Sequence, residues 1–246
     1  MSRLKLIVAY DGSPFSGWQS QPNRNGIQDH LEHAFKQIAG ESVRVHGAGR
    51  TDAGVHALAQ CAHVDLTKKR LTPPQWMRAI NVLLPPTIRI MRCDYVNNNF
   101  HARFSATGKI YRYRIWVGPV LPPLEYGRAW HIATRFEVDL ITSAAAPFIG
   151  RHDFAAFAAN RGKRESSTTR TLKSIRVRHS GELVTVDLEA DGFLYKMARL
   201  IVGSLMRHGC GKITVDEIAR QLRGVKNPST RFVAPACGLF LVRVRY

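Results

Sequence analysis

The chain is organised around one glycine-rich stretch, His46-Gly47-Ala48-Gly49-Arg50-Thr51-Asp52-Ala53-Gly54-Val55-His56-Ala57. Three glycines within eight residues give a backbone that can turn sharply and let a ligand approach closely. A cation, Arg50, and a carboxylate, Asp52, lie two residues apart in this loop. In an extended segment residues i and i+2 point to the same side, so we expect both side chains to face one pocket.

Two phosphate-binding loops have similar glycine patterns, and neither fits. A dinucleotide fingerprint needs glycine at the last position of G-x-G-x-x-G, which Asp52 occupies here. A P-loop needs Gly-Lys-Ser/Thr, whereas Gly54 is followed by Val55-His56. A lone aspartate in such a loop is commonly a turn residue, so its role depends on the rest of the chain.

The composition favours a polyanionic partner. The 246 residues contain 36 Lys and Arg against 18 Asp and Glu, a formal net charge of +18, spread through segments that alternate like strands. Nucleic acid is the first candidate and an anionic membrane surface the second. No apolar run approaches the roughly 20 residues of a membrane span. The N-terminal residues show no signal peptide, so we expect a cytoplasmic protein.

Cysteine and histidine spacing predicts no metal site. Four scattered cysteines without a C-x-x-C pair are typical of reduced, buried thiols. His46, His56 and His63 are too far apart in sequence for a local metal motif, although tertiary clustering stays open.

Hydrophobic periodicity predicts an α+β chain of two similar halves, residues 1–104 and 105–246. In the first half, strands are predicted at 4–9, 43–46, 57–65 and 88–95. Ile27, Leu31, Ala34, Phe35 and Ile38 recur at helical spacing, and Gly40 ends that helix. Thr72-Pro73 begins a second helix. Each half is expected to form a mostly antiparallel sheet with helices on one face.

The second half repeats this pattern. Strands are predicted at 109–116, 129–132, 172–179, 182–190 and 239–245. Helices are predicted near 139–146 and 193–207, and a capping box of Thr214 with Glu217 begins the last helix.

Seven segments then carry a family resemblance. They are Tyr10-Asp11-Gly12 with Phe15-Ser16-Gly17-Trp18-Gln19, Gly49 to Ala57, Phe100-His101-Ala102-Arg103-Phe104-Ser105-Ala106, Lys109-Ile110-Tyr111-Arg112-Tyr113, His152-Asp153-Phe154, Gly192-Phe193-Leu194-Tyr195-Lys196-Met197-Ala198-Arg199, and Ala234-Pro235-Ala236-Cys237-Gly238-Leu239. In this order they resemble the TruA family of tRNA pseudouridine synthases over nearly the whole chain.

The resemblance implies a reaction and a site. A uridine is flipped out of the RNA, its N1–C1′ bond breaks, and C5 is joined to C1′. Asp52 matches the family's catalytic aspartate, and whether it attacks C1′ or C6 stays open. Arg50 would lie near the flipped nucleotide, Arg199 would pair with the aspartate, and Tyr111 would stack on the base. Periodicity alone would make Arg199 a solvated charge, and a core position suits Tyr113 better than Tyr111.

The resemblance also implies partners. It predicts a V-shaped homodimer of two sheet-containing halves that form a basic cleft for tRNA. The enzyme would modify uridines 38 to 40 of the anticodon stem-loop, without a metal, a nucleotide or another cofactor. Candidate contacts to the RNA backbone are Lys5, Lys68, Lys69, Arg70, Arg78, Arg161, Lys163, Arg164 and Arg170.

Two other functions remain as alternatives. A non-catalytic RNA-binding protein would explain the charge but gives no reason for Arg50 and Asp52 to share one loop. A nucleotide-binding enzyme would use Gly47 and Gly49 around a phosphate, and the missing P-loop lysine argues against it.

Overall fold

The structure, a computed structural model, describes residues 2–68, 71–134, 137–159, 167–224 and 232–246. It divides into two compact units, residues 1–107 with 240–246 and residues 108–239. The predicted boundary after residue 104 falls close to the first of these divisions.

The first unit is a mostly antiparallel sheet with two helices. Its elements are β1 (Ser2–Tyr10), α1 (Ile27–Ala39), β2 (Val45–Gly47), β3 (His56–Leu66), α2 (Pro73–Leu83) and β4 (Ile88–Val96). The sheet order is β4-β1-β3, with β2 paired to β3. In the centre, Leu6 lies opposite Ala62 of β3 and Cys93 of β4.

The predicted apolar stripe of α1 is confirmed. Ile27, Leu31, Ala34 and Phe35 are buried, and Ile38 is half-buried. The helix ends at Gly40, whose φ of 71° is left-handed. The Phe35 ring packs against Trp76 of α2, with centroids 5.5 Å apart.

The second unit has the same kinds of elements. They are β5 (Gly108–Val117), β6 (Trp130–Ile132), α3 (Val138–Ser143), β7 (Gly150–Asp153), β8 (Thr169–Ser180), β9 (Leu183–Ala190), α4 (Met197–Gly209) and α5 (Val215–Leu222). The order β5-β9-β8-β7 is antiparallel, and the short β6 pairs in parallel with β5. The α+β class with mostly antiparallel strands is thus confirmed, and the cleft stays a prediction.

The last strand, β10 (Leu239–Arg245), differs from the sequence-based division. The sequence places it in the C-terminal half, whereas residues 240–246 belong to the first unit. The reason is pairing: Phe240 and Leu241 lie in parallel register beside His56 and Ala57 of β3. Strand pairing at such a sequence separation leaves no local signal in the sequence.

Two predicted helices are shorter than expected. The helix predicted from 193 begins at Met197, because Lys196 has a φ of 60° and cannot continue a right-handed helix. The helix predicted at 139–146 ends at Ser143 and is followed by a short 3-10 turn around Pro147, which lacks a backbone donor.

Candidate active site

The glycine-rich stretch forms the connection between β2 and β3. These strands are antiparallel, with His46 opposite His63 and Gly47 opposite Ala62. Beyond β2, the backbone N–H of Ala48 donates to the carbonyl of Cys61 (2.7 Å), and the Gln60 amide donates to the carbonyl of Gly49 (2.9 Å). The Val55 N–H donates to the Asp52 carbonyl (3.1 Å), which closes a turn before β3 begins. Residues 48–55 are thus a hairpin connection held to its own strand.

The end of β1 and the segment after it hold this loop at Thr51. The buried hydroxyl of Tyr10, the last residue of β1, lies 2.8 Å from Thr51 Oγ1, and the backbone N–H of Trp18 donates to the Thr51 carbonyl (3.0 Å). Gly17 adopts a φ of 96°, and a Cβ there would lie 2.6 Å from the Thr51 carbonyl oxygen. Only glycine allows this close approach at that backbone angle. Burial raises the pKa of Tyr10, so the phenol stays protonated while it holds the loop.

His56 connects the end of the loop to the turn after β1. Its ring is buried, accepts a hydrogen bond at Nδ1 from the Gly12 N–H (3.1 Å) and lies 3.2 Å from an Asp11 carboxylate oxygen. The ring stacks on Phe240, with centroids 4.5 Å apart. Both ends of the hairpin connection are therefore fixed.

The three residues at the centre of the loop differ in exposure. Thr51 is buried, Arg50 is exposed and Asp52 is half-buried. Asp52 is thus partly exposed beside a residue whose backbone and side chain are both held. Whether Arg50 and Asp52 face one pocket stays a prediction. The catalytic role of Asp52 and the ligand-binding role of Arg50 stay predictions.

Tyr111 and Arg199 lie in the second unit, on β5 and on the first turn of α4. The Tyr111 ring is only 6% exposed and meets Phe193 edge-on at 4.9 Å. A base could therefore cover only a small part of this ring. Tyr113 is fully buried and donates to the Pro235 carbonyl (2.7 Å), a core position as expected.

Arg199 is half-buried rather than a solvated charge. Its Nε donates to the Ala234 carbonyl (2.7 Å), and the Ala234 N–H donates back to the Arg199 carbonyl (3.2 Å). These two bonds join the start of α4 to the segment before β10 and orient the guanidinium. The pairing of Arg199 with Asp52 stays a prediction.

The candidate contacts to the RNA backbone are in varied environments. Lys68 and Arg78 are exposed. The Lys5 ammonium lies over the rings of Phe100 and Tyr246, at 5.0 and 4.5 Å from their centroids. Arg170 donates to the carbonyls of Ser167 (3.0 Å) and Thr169 (2.6 Å). The other five candidates lie outside the described residues: Lys69, Arg70, Arg161, Lys163 and Arg164.

Sequence reasoning missed the contacts that hold the loop. Tyr10, Trp18 and Gln60 received no role, although the first two lie in segments that carry the family resemblance. It left tertiary clustering of histidines open. In the first unit His46 stacks on His63 at 5.0 Å, and His101, which the sequence did not single out, meets His63 at 4.6 Å. Among the described residues, no group of three or more His, Cys, Asp or Glu could hold a metal ion.

Fold and loop together define an α+β protein that presents a carboxylate on a fixed glycine-rich hairpin connection. The sequence matches the family model of the tRNA pseudouridine synthases over residues 6–105 and 144–246. The chain belongs to this family, the TruA family of tRNA pseudouridine synthases.

Individual relatives agree with this assignment. The tRNA pseudouridine synthase A of Akkermansia muciniphila is 46% identical, over 100% of this chain and 96% of its own length. That of Acetivibrio thermocellus is 39% identical over 100% of both chains. A chain from the crystal structure of a Cbf5-Nop10-Gar1 complex is 13% identical, over 97% of this chain and 49% of its own, with a TM-score of 0.38, from which we draw no conclusion.

No helix within the described ranges has the length and apolar character needed to cross a membrane.

Proposed function

We propose that this protein isomerises uridine to pseudouridine in tRNA, at positions 38 to 40 of the anticodon stem-loop, with Asp52 as the catalytic carboxylate. The proposal is carried by one observation: in a member of this family, the Arg50-Thr51-Asp52 loop is fixed at both ends while Asp52 stays accessible. A turn residue would not need a neighbour held by both Tyr10 and Trp18.

The chemistry is an internal rearrangement. The N1–C1′ bond breaks, the uracil rotates, a C5–C1′ bond forms, and the C5 proton leaves while N1 gains one. No redox partner or phosphate donor enters this balance. The step needs an ionised carboxylate that attacks ribose or base, or that stabilises the charge that develops.

The other residues have supporting roles in this proposal. Arg50, exposed beside Asp52, contacts the phosphate of the flipped nucleotide. Arg199 pairs with Asp52, and its bond to Ala234 limits the positions that its guanidinium can take. Tyr111 contributes an apolar wall with one polar group, because little of its ring is exposed.

The protein acts as a cytoplasmic homodimer in this proposal. The net charge of +18 supports binding to the tRNA backbone. Light scattering of the purified protein tests the dimer, and a monomeric mass would contradict it.

The deciding experiment measures tritium release from tRNA transcripts labelled at uridine C5, with wild type, Asp52→Asn and Asp94→Asn. Asp94 lies on β4, paired with Arg92 at the surface, and serves as the matched control. Wild type and Asp94→Asn are expected to release tritium. Asp52→Asn is expected to release it at least about a thousandfold more slowly, as for loss of an essential catalytic group.

The alternatives have distinct outcomes in the same assay. If wild type binds tRNA but releases no tritium, the chain is an RNA-binding protein without this activity. If Asp52→Asn releases tritium at the wild-type rate, Asp52 is only a turn residue.

A further inference from the structure

An exposed aromatic ring on the first unit has no role in the proposed reaction. Phe104 is 76% exposed, more than any other phenylalanine among the described residues. It follows the buried Ala102 and the exposed Arg103, in the segment between β4 and β5. Isolated exposed apolar residues are common, so the surroundings of this ring decide its meaning.

The ring stands on a rigid turn. The backbone N–H groups of Arg103 and Phe104 both donate to His101 Nδ1, at 3.1 and 3.3 Å. Ser105 closes the turn, since its N–H donates to the His101 carbonyl and its hydroxyl accepts from the His101 N–H, both at 2.9 Å. A backbone held in this way loses little conformational entropy when a ligand binds to the side chain that it carries.

The turn is also held at Ala102 by two hydrogen bonds. The Ala102 N–H donates to Nδ1 of the buried His63 (3.2 Å), and the hydroxyl of Tyr246 donates to the Ala102 carbonyl (2.8 Å). Ala102 itself is fully buried. The position of Phe104 is therefore set by contacts with β3 and with the C-terminal residue.

Planar and cationic groups flank the ring. The His101 imidazole lies 4.3 Å from it between centroids, with an angle of 33° between the planes. The Arg103 guanidinium lies 5.6 Å from the ring centroid. A largely exposed aromatic ring with an adjacent cation is the combination that proteins use to stack an unpaired nucleobase and hold its phosphate.

We propose that one unpaired base of the RNA substrate stacks on the Phe104 ring. The three residues His101, Arg103 and Phe104 are called the Phe104 platform. The inference rests on the proposed tRNA substrate and adds a contact outside the Asp52 loop. The adjacent cation and the charge of +18 favour RNA over a second protein surface as the occupant.

The test compares affinities for an anticodon stem-loop RNA with cytidine at positions 38 to 40, which cannot be isomerised. Phe104→Leu keeps the apolar bulk but removes the ring, and Phe104→Tyr keeps the ring. We expect about tenfold weaker binding for Phe104→Leu and about unchanged binding for Phe104→Tyr, in the range of base–aromatic stacking. Val82→Ala, at an 82% exposed apolar residue of α2, is the matched control.

Salt dependence separates stacking from charge. Phe104→Leu is expected to leave the slope of log affinity against log salt unchanged, because no charge is lost. Arg103→Gln is expected to reduce that slope by about one.

A scan with single abasic nucleotides identifies the stacked base. One abasic position is expected to weaken binding by wild type and not by Phe104→Leu. If every abasic position weakens binding by both proteins equally, or if Phe104→Leu binds like wild type, the proposed role of the platform is wrong and the proposed function stands. If wild type binds no tRNA at all, both proposals fail. A change of mass in light scattering of Phe104→Leu would show a protein–protein contact and overturn the platform.

Discussion

At the scale of single residues, Thr51 determines how the candidate catalytic loop is held. Its side chain bonds to Tyr10 and its carbonyl accepts from Trp18, so both of its polar ends are satisfied by the end of β1 and the segment after it. A loop with three glycines would otherwise sample many conformations. The charged residues on either side of Thr51, Arg50 and Asp52, are therefore attached to a backbone that is held in place.

Tyr10→Phe removes one of these bonds and leaves the Thr51 hydroxyl without this partner. We expect the free energy of unfolding to fall by about 1 kcal/mol. We also expect kcat to fall about tenfold with little change in KM, because a shift of the loop misplaces Asp52. Urea denaturation and tritium release measure the two effects, with Tyr126→Phe, at an 80% exposed tyrosine, as the control. A stability loss with unchanged kcat would show that the bond does not position Asp52.

At the scale of elements, helix ends are set by local chemistry that the sequence displays. The capping box predicted at Thr214 is present: Thr214 Oγ1 accepts from the Glu217 N–H (3.2 Å), and a Glu217 carboxylate oxygen accepts from the Thr214 N–H (2.7 Å). The start of α4 is different, because the left-handed conformation of Lys196 delays it to Met197. Capping residues can be read from sequence, whereas a left-handed lysine cannot.

Thr214→Ala tests the cap. The variant is expected to lose about 1 kcal/mol of unfolding free energy, since one N–H at the start of α5 loses its acceptor. Thr142→Ala is the matched control within a helix, where the exposed threonine bonds back to the Val138 carbonyl and caps no helix start. Chemical denaturation measures both variants, and an equal loss in the two would argue against a specific capping effect.

At the scale of the whole molecule, the first unit contains a pH-sensitive cluster. Burial, with the nearby charges of Arg3, His101 and His46, lowers the pKa of His63 to about 4, and Asp65 opposes this shift. Burial also lowers the pKa of His101. Because these folded-state pKa values lie below the unfolded value of 6.5, the unfolded chain binds more protons at mildly acidic pH.

The protein is therefore expected to lose stability as the pH falls from about 6.5 towards 4, by at most about 1.4 kcal/mol per pH unit for one proton. His63→Gln should make this dependence shallower, even if the variant is less stable at pH 7. Denaturant unfolding between pH 7 and 5 gives the slopes, with His179→Gln, an exposed histidine of the other unit, as the control. A slope in His63→Gln equal to that of wild type would contradict the assignment.

Much of this protein was determined by the sequence alone. The stripe of α1, the antiparallel hairpin of β8 and β9, and the capping box of α5 follow from periodicity and from local hydrogen bonding, which neighbouring residues decide among themselves. The family follows from motifs in a fixed order, because each motif is short and local.

The tertiary structure decided the rest, because it depends on residues distant in sequence. Tyr10 reaches Thr51 across 41 positions, and Tyr246 reaches Ala102 across 144. The return of β10 to β3, the convergence of three histidines, and the exposure of Phe104 beside Arg103 likewise arise only when strands pair. Local patterns predict elements and motifs, and only the packing of those elements determines which side chains meet and which stay exposed.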